Sequence, residues 1–148
     1  MDEADEDRTL LGAVRLAMAV SVRAADAVGD VSAVQLRALT VLHGAPGANL
    51  GRLAQDLGIT TSTSSRLVDR LVAAGLVERR PSPQTRREIN LVLTRLGMRT
   101  LDRYDRLRLD QLHDCLGRVP AEQRESVVAA LDVLVTAGDV RPAAELPG

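Results

Sequence analysis

Between Thr60 and Arg95 the chain concentrates side chains suited to binding anions. Thr60 to Ser65 reads TTSTSS, six hydroxyls in succession, and RLVDRL follows at once. Ser and Thr hydroxyls compete for backbone groups and lower helix propensity, so the run does not serve a helix interior. It does serve a helix start, where a hydroxyl caps free N–H groups, and it serves contacts with phosphates and base edges. Seven arginines share the span: Arg66, Arg70, Arg79, Arg80, Arg86, Arg87 and Arg95. Against Asp69, Glu78 and Glu88 they leave it at +4, and since the whole chain stands at −1 the remainder carries −5. Asp2, Glu3, Asp5, Glu6 and Asp7 crowd the amino end. A basic segment on an otherwise acidic chain is the footprint of local anion binding. All 19 basic residues are Arg, a bias that genome composition explains at least as well as guanidinium chemistry.

Other chemistries find less support. No Ser-His-Asp ordering, phosphate-cradling glycine loop or metal quartet stands out, so no enzyme and no cofactor are expected. His43, His113, Asp110 and Asp114 are the nearest approach to a metal set, and no metal site is expected from them. The single Cys115 excludes an internal disulfide, fits a reducing cytoplasm and reads as a small buried hydrophobe. Tyr104 is the only aromatic residue, a poor supply of base-stacking platforms. Hydrophobic content of 45% supports a folded core. Apolar runs too short for a membrane span, and no signal-peptide pattern at the start, set the expected location as cytoplasmic.

Periodicity then supplies the elements that position these groups. Leu11, Val14, Met18, Val22 and Ala25 predict a first helix from about Thr9 to Val28, after a frayed acidic start. Ser32 and Gln35 form a capping-box pattern for a second helix to about Leu42. Asn49 caps a short third helix with Leu50, Leu53, Ala54 and Leu57 inward, ended by Gly58. Thr60 sits where a fourth helix needs its N-cap. In that helix Leu67, Val68 and Leu71 form the buried stripe, while Thr61, Ser62, Ser65, Arg66, Asp69 and Arg70 fall largely opposite. Two short helices joined by a glycine turn, the second basic on its outer face, make a helix-turn-helix.

Beyond Gly75 the period changes. Leu76 to Arg80 reads as a strand, Pro81-Ser82-Pro83-Gln84-Thr85 as turn chemistry, and Ile89, Leu91 and Leu93 as the inner face of a second strand. The hairpin carries Arg79 and Arg80 at its base and Arg86 and Arg87 at its tip, which makes a winged helix. Leu96, Leu101, Tyr104, Leu107, Leu112 and Leu116 line a long fifth helix. Pro120 opens a sixth at its first turn, with Val127, Val128, Leu131, Leu134 and Val135 inward. The fold class is therefore mainly α with a small β-hairpin wing: a winged helix-turn-helix plus long dimerisation helices. Residues 1–31 form the N-terminal dimerisation helix, 32–94 the DNA-binding domain, 95–139 the C-terminal dimerisation helices and 140–148 a loose tail. The first, fifth and sixth helices carry more apolar surface than a compact winged domain covers, so a homodimer through them is expected.

The stretches LGRLAQDLGITTSTSSRLVDRLVAAGLVERRPSP and TRREINLVLTRLG closely resemble the MarR family of bacterial transcriptional regulators, and the resemblance extends over nearly the whole chain. It implies a triangular homodimer with a recognition helix in the major groove and a wing in the adjacent minor groove. It also implies a regulator, in the expected direction a repressor, that releases DNA when a small molecule or oxidant arrives. By the resemblance Thr60 takes the N-cap place of the recognition helix and Thr61 stands where the family often has Pro. Ser62, Thr63 and Ser65 fall on positions that approach bases and phosphates, Arg66 and Arg70 match basic positions, and Arg87 matches the wing-tip Arg. Thr85 replaces the usual Asp, so Asp69 is the candidate brace for Arg87. The effector-binding residues are unassigned. The reading is a sequence-specific regulator binding double-stranded DNA at a pseudopalindromic operator; the alternative is a winged-helix protein-interaction module that does not act through DNA.

Overall fold

A computed structural model of the chain describes residues 2–138. Six helices and one hairpin follow in the order α1 (Glu3–Val28), α2 (Ala33–Gly44), α3 (Leu50–Leu57), α4 (Thr61–Ala73), β1 (Val77–Pro81), β2 (Ile89–Leu93), α5 (Arg95–Gly117) and α6 (Ala121–Ala137). The winged-helix architecture expected from the sequence is thus the architecture present.

Local chemistry sets most helix starts. Ser32 Oγ accepts from Gln35 N at 3.2 Å and Gln35 Oε1 accepts from Ser32 N at 2.8 Å, completing the capping box of α2. Asn49 Oδ1 accepts from Arg52 N at 2.9 Å to start α3. Three boundaries differ from the sequence reading. Helix α1 begins at Glu3 rather than near Thr9, because Asp2 Oδ1 accepts from Asp5 N at 2.8 Å and Glu3, Asp5 and Glu6 sit in the first turn, where the helix dipole favours carboxylates. Pro120 takes the cap position of α6 instead of the first turn. Strand β1 starts one residue later than expected, at Val77, and runs to Pro81. The tail beyond Asp139 lies outside the described residues.

The core gathers Leu36 and Leu39 of α2, Leu53 of α3, Val68 and Leu71 of α4, Val77 of β1 and Leu101 of α5, with Ala24 and Ala25 of α1 against them. Helix α1 packs chiefly on α5, and α3 on α4. The hairpin is antiparallel, with Val77 opposite Leu93, Arg79 opposite Leu91 and Pro81 opposite Ile89. Leu91 N donates to Ala48 O at 2.8 Å, so the turn between α2 and α3 is tied to the wing.

The junction of wing and α5 is closely fitted. Thr94 caps α5 by accepting from Gly97 N at 3.0 Å, and its hydroxyl donates to Gly75 O at 2.5 Å. Thr94 N donates to Leu76 O at 3.0 Å. The same carbonyl oxygen lies 2.1 Å from where a Cβ on Gly97 would stand, so no side chain fits there. Gly75 itself takes φ +71°, the left-handed conformation that lets the chain leave α4 for the strand.

The outer helices depart from the sequence reading in one respect. Val127, Val128, Leu131, Leu134 and Val135 were expected inward, yet no residue of α6 is buried. Leu11, Val14, Met18 and Val22 of α1, with Leu96 and Leu112 of α5, are likewise exposed. The apolar spacing is real, but among the described residues of a single copy nothing covers these faces.

Candidate nucleic-acid interface

The turn from α3 to α4 is made by Gly58, in the left-handed region at φ 66°. Ile59 N donates to Ala54 O at 3.0 Å, closing the end of α3. Thr60 Oγ1 accepts from Thr63 N at 3.2 Å and donates to Thr63 Oγ1 at 2.9 Å. The cap role read from the sequence is therefore filled by Thr60.

The six hydroxyls divide by helical phase. Ser64 is fully buried and its Oγ donates to Leu50 O at 3.4 Å, linking the two helices from inside. Thr60, Thr61, Ser62 and Thr63 are exposed and Ser65 is half-buried. Arg66, Asp69 and Arg70 are exposed on the outer side while Leu67, Val68 and Leu71 are buried. Helix α4 thus offers solvent a face of short hydroxyls and two guanidiniums, with Leu67, Val68 and Leu71 holding it against the core.

The wing adds the remaining arginines. Its loop, residues 82–88, is closed by Ser82 N donating to Glu88 O at 2.8 Å and by Glu88 N donating to Thr85 O at 3.4 Å. Ser82 is buried, accepting from Gln84 N at 3.3 Å and donating to Gln84 Oε1 at 3.1 Å. Arg86 and Arg87 occupy the turn at the tip and are exposed. Arg80 at the base donates to Glu78 on its own strand.

Asp69 does not pair with Arg87, the partner expected from the sequence. Its Oδ1 accepts from Arg79 Nη2 at 2.6 Å. The end of α4 lies beside the start of the wing, so the base arginine reaches the carboxylate and the tip arginine does not. That contact also places the outer face of α4 next to β1, which makes helix and wing one continuous surface.

Two adjoining clefts of about 450 and 400 Å³ lie away from this surface, among α1, α2 and α5. They share Ser21 and Arg108. Arg108 donates to Asp105, and its guanidinium carbon stands 4.3 Å from the centroid of the Tyr104 ring. Ala17, Val20, Leu109 and Leu112 line one cleft; Arg37 and Thr40 help to line the other. Sequence periodicity placed Tyr104 on the inner face of α5, but gave no signal that Arg37 and Arg108 converge from two helices. Cys115 is half-buried with Arg118 Nη2 3.2 Å from its Sγ. Among the described residues no group of three or more His, Cys, Asp or Glu is placed to hold a metal ion, and no helix is long and apolar enough to cross a membrane.

The MarR family model matches residues 30–88, from the start of α2 through the tip of the wing. A crystal structure of RV1404 from Mycobacterium tuberculosis is 31% identical, covers 98% of this chain and 99% of its own, and superposes with a TM-score of 0.83. The chain belongs to the MarR family. The apo form of wild-type MarR from E. coli shares the fold at 23% identity, with 90% of this chain and 96% of that one covered and a TM-score of 0.68. So does a mutant of MepR from Staphylococcus aureus bound to an oligodeoxyribonucleotide, at 19% identity, 93% and 98% coverage and a TM-score of 0.64. No curated protein sequence matches the chain. As a MarR-family member the chain carries the fold of these transcriptional regulators, and the hairpin and basic helix of that fold are where the sequence placed them.

Proposed function

We propose that the protein is a sequence-specific, double-stranded-DNA-binding transcriptional repressor that acts as a homodimer in the cytoplasm. The observation that carries this reading is the continuous outer surface of α4 and the wing, with exposed Ser62, Arg66 and Arg70 on the helix and exposed Arg86 and Arg87 at the tip. Short hydroxyls require close approach of the helix to the groove and chiefly fix position, whereas an arginine fork can discriminate guanine. The exposed apolar faces of α1, α5 and α6 support pairing of two copies. Two-fold symmetry then calls for a pseudopalindromic operator with half-sites roughly 10 base pairs apart.

Footprinting of the gene's own upstream region tests the reading: a protected, salt-sensitive pseudopalindrome is the expected result. Arg87→Ala should weaken binding to all fragments. It should also lower the slope of log affinity against log salt by about 0.9 for each phosphate that a subunit no longer neutralises. Arg66→Ala should in addition relax sequence preference, by roughly 1–3 kcal/mol at the base it reads. Titrations with matched and scrambled duplexes separate the two, and unchanged affinity in both variants would rule out the docking.

The arginine-bearing clefts support relief by a small acidic effector. A carboxylate can replace Asp105 at the Arg108 guanidinium while its apolar part lies against Val20 and Leu109. Thermal-shift screening with small aliphatic and aromatic acids should find stabilising ligands whose effect disappears in Arg108→Ala. Retained shifts in that variant would place the effector elsewhere.

A further inference from the structure

The arginines between Thr60 and Arg95 differ in what surrounds them. Arg79 on β1 is held by Asp69 of α4 at 2.6 Å, and Arg80 is held by Glu78. Arg66, Arg70, Arg86 and Arg87 enter no ion pair among the described residues, and all four are exposed. A guanidinium engaged by a carboxylate is a poor phosphate ligand, because the carboxylate repels the phosphate it would have to approach. The Asp69–Arg79 pair is also the one ion pair among the described residues that joins α4 to the wing.

We propose that Asp69 and Arg79 form a strut, a positioning pair that sets the angle of the wing against the recognition helix, and that Arg79 does not itself contact phosphate. The inference rests on the DNA-binding reading above. Arg79 stands opposite Leu91 in the ladder, and the strand leaves the pairing at Pro81, about 7 Å further on. A rotation of the hairpin about its base is therefore magnified at Arg86 and Arg87. Tying the base to α4 fixes the distance between the group that enters one groove and the groups that reach the next. The side chains are 42% and 63% exposed, so the pair contributes little to folding, and its effect is felt in alignment.

Asp69→Ala, Arg79→Ala and the double variant, each confirmed as folded by circular dichroism, are titrated with duplex fragments from the gene's upstream region at several salt concentrations. A strut gives an affinity loss of about two- to fivefold in each single variant, and the double variant is no weaker than either one. An Arg79 that contacts phosphate gives the opposite pattern: Asp69→Ala binds more tightly than the parent, and the two changes combine additively. Either of those results overturns the proposal. Hydrogen exchange on the free protein supplies a reading that needs no DNA. The Ser82 amide, bonded to Glu88 O at 2.8 Å, exchanges faster in both single variants if the strut steadies the wing. Unchanged exchange overturns the strut. A parent protein indifferent to every fragment overturns the DNA-binding reading instead, and exchange then decides the strut by itself.

Discussion

Gly97→Ala should cost about 3 kcal/mol of stability and lower the melting temperature by on the order of 10 °C. The added Cβ would stand 2.1 Å from Leu76 O and 3.1 Å from Leu76 C, well inside contact distance. These are backbone atoms, so no rotamer change relieves the overlap. Leu76 O also accepts from Thr94 N, and Leu76 is itself buried, which holds the carbonyl in place from both sides. The first turn of α5 would have to lift from the start of β1, and the capping bond of Thr94 to Gly97 N would be strained with it. Gly51 in α3 is the control. Its added Cβ would meet only Asn49 Oδ1, at an ordinary 3.5 Å, so Gly51→Ala should leave stability unchanged or raise it by about 0.5–1 kcal/mol through helix propensity. Calorimetry or circular dichroism melting compares them. A Gly97→Ala protein melting within two or three degrees of the parent would show that α5 does not start against the Leu76 carbonyl.

The second large effect concerns assembly. Leu131 and Leu134 of α6 are 50% and 53% exposed in the single chain. Replacing both by Asp puts two charges into the proposed dimer interface, and each would have to be desolvated there without a partner. The expected product is a folded monomer, because α6 buries nothing against the winged lobe. Operator affinity should then fall by about 10²–10⁴-fold, since the second half-site is no longer presented at high effective concentration. Sedimentation reports the mass and circular dichroism the retained helix. A variant that stays dimeric, or a monomer that binds the full operator as tightly as the parent, would contradict the paired-copy reading.

The sequence disclosed what short-range chemistry decides. Ser32 with Gln35, Asn49 before Leu50, and Thr60 after Gly58 are cap signals spanning three or four residues, and each makes the bond its spacing implied. The wing was legible because a shift from helical period to alternation at Leu76 is also local. Ser64 illustrates a finer limit: its hydroxyl was indistinguishable by type from its neighbours, and only helical phase sends it inward to Leu50. The partner of Asp69 was not legible. Arg79 and Arg87 lie ten and eighteen residues away, and choosing between them requires the angle at which the hairpin leaves α4. The inward reading of α6 failed for a different reason. Periodicity reports that a face is apolar, not which molecule covers it. Gly97 was not legible either: Gly51 also stands in the first turn of a helix, yet only Gly97 has a backbone carbonyl where its Cβ would be.

The bonds from Thr94 to Gly75 and Leu76, with Gly97 packed against the Leu76 carbonyl, have a consequence at long range. Helix α5 leaves that anchorage without interruption and runs 23 residues, about 35 Å. Tilting so stiff a rod by some five degrees about its fixed foot carries the distant end sideways by about 3 Å, nearly the 3.4 Å spacing of stacked base pairs. In the proposed dimer, register between two half-sites is therefore governed by a lever, and a disturbance too small to alter the winged lobe would still move its twin by one step along the duplex.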